Sequence, residues 1–369
     1  MTDINNKILE MIKQDKSISD ISSVLNLTYK QIFNRINQIK DYGYFINKTY
    51  DTNANIYYLL GNGGSYRNDC FSLENKNTKI KIMVISDLHI GNFFSAEHDL
   101  NSIYNYCIKN NIHTIIICGD MLDGIFSKLP PTVKAEEQIE RFLKFYPFDK
   151  SIINLYTLGD HDTSLLGKSI SFKTAMDRKR HDITSLSTSH KNSETNVLTI
   201  NNQKILVTHK TDNYDDNDIK DVKLHLIGHK HISKNIIDVS GKNISTPKIF
   251  VPSFSYLDSY DEINIPRAVE LTIYTDRFFN FQSILKKDLM LYENKIINTN
   301  NTLFNYNKSN PKADNNILYK EKQKDNSVIN NEDNFAKLNE EQQKYVDDFF
   351  GRNQKKLTKE LKNQLYKKY

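Results

Sequence analysis

The first sixty residues alternate apolar and polar positions with the periods of three short helices and a hairpin. A helix with one buried face is predicted by apolar side chains at every fourth position, namely Ile4, Ile8 and Ile12. Ser19 is the predicted cap of a second helix, and Thr28 with Gln31 forms a predicted capping box for a third. Two β-rich runs, 44–47 and 56–60, flank a polar turn and predict a hairpin.

Between residues 78 and 284, short apolar runs first alternate with helical stretches and then follow one another. Three runs suit buried strands: Lys79–Ser86, His113–Cys118 and Ile152–Leu158. Helices are predicted between them, around 98–109 and 133–146. Six later runs predict further strands: Val197–Ile200, Lys204–Thr208, Lys223–Ile227, Ile236–Val239, Lys248–Val251 and Ala268–Ile273. This order predicts an α/β sandwich.

These patterns divide the chain into five parts. They are an N-terminal module at 1–62, a linker at 63–77, the α/β domain at 78–285, a low-complexity linker at 286–338 and a basic amphipathic helix at 339–369. The first linker is predicted because Gly61, Gly63 and Gly64 do not complete a dinucleotide-binding GxGxxG, since Tyr66 takes its last position. The second is rich in Asn and Lys, which predicts poor order.

Charge and composition limit the class of protein. The 369 residues include 50 basic and 45 acidic ones, and the net charge is +5. Residues 352–369 carry seven basic residues and one acidic residue, so the basic excess lies in the C-terminal helix. We expect this helix to pack on the body, on a second copy in a homodimer or on a partner protein, with phosphate-backbone binding as an alternative.

No apolar run approaches the roughly 18 residues of a membrane span, and the N-terminus lacks the apolar stretch of a signal peptide. The three cysteines form no CxxC pair, which disfavours structural zinc and disulfide folds and fits a reducing compartment. We therefore expect a cytoplasmic protein that does not contact membranes.

The third predicted helix has a polar face made of Tyr29, Lys30, Asn34, Arg35 and Gln38. Three helices and a hairpin in this order resemble a winged helix-turn-helix, in which the third helix enters the major groove of DNA. Amide and guanidinium groups suit base edges and phosphates, so these residues are predicted to bind DNA. A helical module for protein contacts or dimerisation, with Lys30 and Arg35 as solvated charges, is the alternative.

Histidine and aspartate residues cluster where the predicted strands of the α/β domain end. Ten of them follow five strands in chain order: Asp87, His89, Asp120, Asp123, Asp160, His161, Asp162, His209, His229 and His231. Glycine, with only 12 in the chain, recurs beside these clusters, where tight exits from strands allow side chains to converge. Mixed carboxylate and imidazole ligands suit Mn²⁺, Fe or Zn²⁺ rather than Ca²⁺.

The ordered blocks DxH, GDxxD, G(N/D)HD, a lone His and GHxH resemble the calcineurin-like metallophosphoesterase superfamily between Lys79 and Tyr256. The resemblance implies a two-layer β-sandwich flanked by helices, with two divalent metal ions, expected to be Mn²⁺ with Fe or Zn²⁺ as alternatives. It implies one metal held by Asp87, His89 and His231, a second held by Asp160, His209 and His229, and Asp120 as the bridge. Two cations about 3.5 to 4 Å apart can activate a bridging hydroxide and take up charge in an in-line displacement.

The resemblance also assigns the remaining residues. His161 is expected to stabilise the transition state or protonate the leaving oxygen, oriented by Asp162. Asp123 is expected to hold a ligand or a loop in place. Asp160 stands where the superfamily usually has Asn, so it adds a negative charge to the metal centre and leaves the rate and the choice of metal open.

The details of the blocks favour one class of substrate. Protein Ser/Thr phosphatases usually continue GDxVDRG and end the third block in GNHE, whereas here Gly124 follows Asp123 and the block ends in Asp162. GDxxD with an HD ending resembles SbcD-type DNA nucleases and related phosphodiesterases. Joined to a DNA-binding module, it predicts a nuclease. A small-molecule phosphodiesterase, a protein phosphatase and a DNA-binding regulator with a non-catalytic metal site are the alternatives.

Overall fold

A computed structural model gives the architecture of most of the first 306 residues. The described residues are 1–44, 46–51, 53–60, 70–74, 77–92, 94–125, 133–168, 171–186, 195–201, 203–210, 221–236, 246–256, 265–292 and 294–306. All of these residues belong to one compact unit. The predicted C-terminal helix at 339–369, and the part of the low-complexity linker after residue 306, lie outside the described residues.

The N-terminal region contains three helices and a hairpin. Their bounds are α1 (Asp3–Lys13), α2 (Ile18–Leu25), α3 (Tyr29–Asp41), β1 (Ile46–Asp51) and β2 (Ile56–Leu60). The predicted capping box of α3 is confirmed, since Thr28 Oγ1 accepts from Gln31 N at 3.3 Å and Gln31 Oε1 accepts from Thr28 N at 2.8 Å. The cap of α2 is Ser17 and not Ser19, because Asp20 completes a capping box with Ser17.

The predicted linker at 63–77 is wrong for part of its length, because Cys70–Glu74 form a strand, β3. β3 pairs in parallel with β1 on one side and with β8 (Thr195–Ile200) on the other. The N-terminal hairpin therefore lies in the same sheet as β8. The residues around β3 are polar, but Phe71 and Leu73 alternate with Ser72 and Glu74, which is the period of a strand. Residues 61–69 lie outside the described residues.

Two sheets form the body of the chain. The first comprises β4 (Lys79–Ile85), β5 (Thr114–Cys118), β6 (Ile153–Thr157), β7 (Ile183–Ser185), β13 (Arg267–Thr275), β14 (Phe281–Tyr292) and β15 (Lys295–Asn305), in the order β15-β14-β13-β4-β5-β6-β7. The second adds β9 (Gln203–Thr208), β10 (Val222–Ile227), β11 (Lys234–Ile236) and β12 (Lys248–Phe250), in the order β11-β12-β10-β9-β8-β3-β1-β2.

After the N-terminal region, the described residues form the α-helices α4 (Leu100–Lys109), α5 (Ala135–Phe145), α6 (Asp160–Ser164) and α7 (Phe172–Lys179). Among the described helices, none has the length and apolar character needed to cross a membrane.

Alternating side chains of β4 separate two hydrophobic cores. Val84 belongs to a core that also contains Val207 of the second sheet. Its neighbour Met83 points to the opposite face, into a core shared with Ile103 of α4 and Phe142 of α5. The chain is thus mixed α/β, with two sheets sharing one core and helices covering the other face of the first sheet.

The prediction of a low-complexity linker at 286–338 is wrong within 286–305, where part of β14 and all of β15 lie. β14 runs past the predicted domain end at 285, and β15 pairs with it antiparallel over the length of a long hairpin. Several side chains of β14, such as Ile284 and Leu289, are buried, whereas Phe304 is the one buried side chain of β15 and the rest of that strand is exposed or half-buried. An edge strand needs few apolar residues, so its Asn-rich sequence has the composition of a loop.

Candidate metal centre

Parallel strand pairing brings the predicted ligands to one edge of the two sheets. β4, β5 and β6 are parallel neighbours, and so are β9 and β10. Asp87 and Asp120 follow β4 and β5, Asp160 follows β6, and His209 and His229 follow β9 and β10. Because parallel strands end at the same edge, these side chains meet where polar ligands of α/β sheets usually bind.

The first group of donors contains Asp87, His89 and His231. His231 Nε2 lies 3.3 Å from Asp87 Oδ1 and 3.3 Å from His89 Nε2. One ligand atom from each of the three residues lies within 4.8 Å of the others. Asp87 is fully buried and His89 almost so. The arrangement is a compact, largely buried group of two imidazoles and one carboxylate.

The second group contains Asp120, Asp160, His209 and His229. His209 Nε2 lies 3.0 Å from Asp120 Oδ2 and 3.0 Å from Asp160 Oδ1, and His229 Nδ1 lies 3.6 Å from that same oxygen of Asp160. Asp120 Oδ2 is also 3.9 Å from His89 Nε2, which belongs to the first group. Asp120 thus lies between the two groups, close to a ligand atom of each.

Three buried atoms in these groups are suited to bind cations. Among the described residues, Asp87 Oδ1, Asp160 Oδ1 and His209 Nε2 make no hydrogen bond of acceptable geometry, although other ligand atoms lie 3.0 to 3.3 Å away. His209 Nδ1 contacts the carbonyl oxygen of Cys118 at 2.8 Å, so a neutral His209 would carry its proton on Nδ1 and have a lone pair on Nε2 for a metal. Buried lone pairs without donors are costly unless a cation binds them. The donor set fits two divalent metal ions.

Electrostatics keep the carboxylates of the centre ionised. Burial alone would raise the pKa of Asp87, but His231, His209 and His89 outweigh it and lower this pKa. The pKa of Asp120 is likewise lowered, since His209 and His89 outweigh its burial. Ionised oxygens are the form in which carboxylates bind metals.

The backbone at the predicted ligands is strained. Five of the seven predicted ligands have left-handed φ angles: 53° at Asp87, 45° at His89, 51° at Asp120, 68° at His229 and 55° at His231. Asp and His tolerate this region better than most residues, yet each such position costs about 1 to 3 kcal/mol. The surrounding sheets therefore hold these turns against their preference, and the result is convergence of the side chains.

Two glycines make room for the ligands. Gly119 has φ +90°, and a Cβ there would overlap the imidazole of His209. A Cβ at Gly159 would overlap the carboxylate of Asp120. The glycines of the GDxxD and GDHD blocks thus serve close approach of backbone and ligand.

His161 lies beside the predicted ligands. Its ring packs edge-on against His89 with centroids 4.7 Å apart, and its backbone N–H donates to Asp120 Oδ1 at 3.0 Å. Burial would lower the pKa of His161, but Asp120 and the carbonyl of Asp123 outweigh it and raise this pKa. The side chain is also close enough to His89 and Asp120 to share a cation with them.

Asp162 does not orient His161 in the way the sequence suggests. Its carboxylate accepts backbone N–H groups of Gly159 at 2.9 Å, Leu122 at 2.9 Å and Met121 at 3.3 Å. His161 Nδ1 instead contacts the carbonyl oxygen of Asp123 at 2.5 Å. Asp162 is therefore a clamp between the loops after β5 and β6, and burial with the nearby Asp120 raises its pKa to about 7.

Asp123, in the loop after β5, contacts side chains of the loop after β4. Its Oδ1 accepts from Asn92 Nδ2 at 3.0 Å and lies 3.7 Å from His89 Nδ1. The Asp123 loop is held further by Gln138, whose side chain exchanges two hydrogen bonds with the backbone of Gly124. These contacts hold the loop after β5 in place beside His89 and His161.

The predicted DNA-binding residues are not all on an open surface. Tyr29 packs edge-on against His181 with centroids 6.0 Å apart, and Arg35 Nη1 donates to Asn5 Oδ1 at 3.1 Å. Lys30, Asn34 and Gln38 are exposed, and Gln38 Oε1 lies 3.5 Å from Asn5 Nδ2. Tertiary packing therefore turns the ends of the predicted polar face toward the body and toward α1.

Lys210 is a part of the centre that the sequence did not indicate, and Ser253 is one that it indicated only by a resemblance of 251–253 to the small-residue turn after the last histidine block. Lys210 Nζ lies 3.0 Å from Asp160 Oδ2, and Ser253 Oγ donates to the carbonyl oxygen of Asp87 at 2.8 Å. The signal for Lys210 was present, since an extra carboxylate at position 160 needs a countercharge and Lys210 follows His209 directly. Ser253 lies in the small-residue turn after β12.

Comparisons with known proteins add to this geometry. No curated protein matches the chain. A nuclease from Pseudomonas putida, named MPE, is a solved structure similar to this chain, with 11% sequence identity and a TM-score of 0.29. The match covers 59% of this chain and 87% of that one.

The model of the calcineurin-like phosphoesterase family matches residues 80–354. This span contains both donor groups and the strands β4 to β15 of the two sheets, and it is more than half of the chain. The chain belongs to the calcineurin-like phosphoesterase family and is a metal-dependent phosphoesterase.

Proposed function

We propose that this phosphoesterase hydrolyses phosphodiester bonds of DNA with two metal ions. The observation that carries the two-metal part is the position of Asp120, with its Oδ2 3.0 Å from His209 Nε2 in one donor group and 3.9 Å from His89 Nε2 in the other. In this proposal Asp87, His89 and His231 hold one metal, and Asp160, His209 and His229 hold the second.

The bound metals would activate a water molecule and offset the charge that develops on the phosphoryl oxygens. His161 acts on the substrate side, either by donating a hydrogen bond to the phosphoryl group or by giving a proton to the leaving oxygen. The contact of its Nδ1 with the carbonyl of Asp123 sets the direction of the ring, which presents Nε2 on the opposite side. Asp162 and Asn92 hold the loops on which His161 and His89 depend.

The exposed part of α3 supports a nucleic-acid substrate. Lys30, Asn34 and Gln38 recur every four residues and are exposed, so they share one face of the helix. An ammonium and two amides suit phosphates and base edges. Strand β3 joins this region to the catalytic sheet, so a duplex bound at α3 is held close to the phosphoesterase domain.

A substrate panel tests the reaction. Bis(4-nitrophenyl) phosphate, cyclic nucleotides, a phosphopeptide and DNA oligonucleotides are compared with Mn²⁺ present, and His209→Ala is expected to abolish hydrolysis of all of them. The proposal predicts cleavage of both bis(4-nitrophenyl) phosphate and DNA. Cleavage of a cyclic nucleotide or a phosphopeptide without cleavage of DNA would refute the DNA substrate while leaving the phosphoesterase class intact.

Point variants test the role of α3 better than a deletion, because removing residues 1–62 would also remove β1, the partner of β3. Lys30→Ala is expected to weaken DNA binding and to reduce the salt dependence by about one counterion. Lys16→Ala is the matched control, since Lys16 is exposed and precedes α2. Equal DNA affinity and equal salt dependence of the two variants would remove the DNA-binding role of α3.

A further inference from the structure

The two oxygens of the Asp160 carboxylate face different neighbours. Its Oδ1 faces the ligand group, 3.0 Å from His209 Nε2 and 3.6 Å from His229 Nδ1, and makes no hydrogen bond among the described residues. Its Oδ2 lies 3.0 Å from Lys210 Nζ. The Asp160 side chain is 25% exposed and that of Lys210 is 32% exposed, so the pair is partly shielded from water.

The pair keeps the net charge near the metals at the value an asparagine would give. Asp160 adds one negative charge in place of a neutral amide, and Lys210 adds one positive charge beside it. The two residues also match in hydrogen bonding, since an ammonium only donates and a carboxylate only accepts. An amide at position 160 would have to turn its oxygen toward Lys210, which would leave its NH₂ group, a poor metal ligand, toward His209.

We infer that Lys210 is a positioning residue that neutralises Asp160 and holds its Oδ1 toward the metal ions, so that residues 160 and 210 act as one unit in place of asparagine. The inference rests on the proposed role of Asp160 as a ligand, but not on DNA as the substrate. An uncompensated third carboxylate would bind cations more tightly and would leave them less able to polarise a phosphoryl oxygen.

Metal binding is the first readout. Isothermal titration of the metal-free full chain with Mn²⁺ is expected to show about tenfold tighter binding for Lys210→Met, because a unit positive charge close to the cations is lost. Asp160→Asn is expected to bind Mn²⁺ at least tenfold more weakly. Lys210→Arg, which keeps the charge, should stay within about threefold of the wild type.

Turnover of bis(4-nitrophenyl) phosphate at saturating Mn²⁺ is the second readout. Lys210→Met should lower kcat in the wild-type background but raise it when Asp160→Asn is also present, because the amide can present its oxygen to the metals once Lys210 is absent. This reversal of sign is specific to the pair, since a purely structural role of Lys210 would lower kcat in both backgrounds.

Lys230→Met is the matched control, because Lys230 is an exposed lysine that also follows a predicted ligand directly and carries the same charge. It should change the Mn²⁺ affinity less than threefold. The inference is overturned if Lys210→Met binds Mn²⁺ within twofold of the wild type, or if it raises only KM, which would make Lys210 a substrate contact. Failure of the wild type to cleave any diester would refute the proposed function instead, and the Mn²⁺ titrations would still test the pair.

Discussion

Gly119→Ala should damage both the fold and the metal centre. Gly119 has φ +90°, a left-handed conformation that costs alanine about 1 to 2 kcal/mol. The added Cβ would also overlap the His209 imidazole. That ring cannot retreat easily, because it is fully buried and its Nδ1 is held by the carbonyl of Cys118 at 2.8 Å.

The expected loss of stability is the sum of these two effects. Overpacking in a dense interior costs about 1 to 3 kcal/mol, so the total destabilisation should be about 2 to 5 kcal/mol. Gly43→Ala separates the two contributions. Gly43 has φ +91°, but a Cβ there would meet no heavy atom within 4 Å, so that variant should lose only about 1 to 2 kcal/mol.

Urea unfolding of the metal-free proteins gives the stability difference, read from midpoints at equal m values. Titration with Mn²⁺ gives the second consequence, because a displaced His209 should weaken binding of one metal by tenfold or more, whereas Gly43→Ala should bind Mn²⁺ as the wild type does. If Gly119→Ala is no less stable than Gly43→Ala and binds Mn²⁺ equally well, the close approach of Gly119 to His209 has no energetic weight.

Three further outcomes are expected. Chelation with EDTA should lower the melting temperature, and Mn²⁺ at about 100 times its Kd should add about 2.7 kcal/mol per site to the free energy of unfolding; a melting temperature insensitive to Mn²⁺ would contradict the metal centre. Burial, with a smaller contribution from Lys248, lowers the pKa of His225 to about 3, so the unfolded chain takes up its proton first as the pH falls below 6.5. Stability should therefore fall toward pH 3 by up to about 1.4 kcal/mol per pH unit, and His225→Gln should flatten this slope in denaturation series between pH 5 and 7; an unchanged slope would count against it. Lys286 is 1% exposed, and its Nζ lies 2.6 Å from Asp288 Oδ1, so Lys286→Met should lower the free energy of unfolding in urea by about 3 kcal/mol. The double variant Lys286→Met with Asp288→Leu should recover most of this loss, and equal losses in the single and double variants would show that the pair is not coupled.

The position of the metal centre could be predicted because its chemistry follows strand ends. Asp87, Asp120 and Asp160 come directly after apolar runs that have the length of strands, and parallel pairing then leaves little freedom in where those ends meet. The strained backbone at His229 and His231 could not be predicted in the same way, since their left-handed φ angles are imposed by the packed sheets and not by local preference.

Strands β3 and β15 were not predicted from the sequence. β15 is held by backbone pairing and its Asn-rich sequence has no strong hydrophobic period, whereas β3 is only five residues long, so its two alternating apolar residues, Phe71 and Leu73, do not stand out within a polar stretch. The orientation of α3 was missed for a different reason. Tyr29 faces His181, which is distant in sequence, so the direction of its side chain is decided by tertiary contacts alone. Asp162 likewise serves backbone groups of another loop, which no spacing within its own block reveals.

Strand β3 links the N-terminal helices and hairpin to the sheet whose strands β9 and β10 precede His209 and His229. It carries β1, and Tyr50 of β1 donates its hydroxyl to the carbonyl oxygen of His181 in the catalytic body at 3.0 Å. The N-terminal helices are therefore joined to the rest of the described residues through β1 and β3, within one compact unit. If DNA binds at α3 as proposed, it should be cut at a set number of nucleotides from the bound segment.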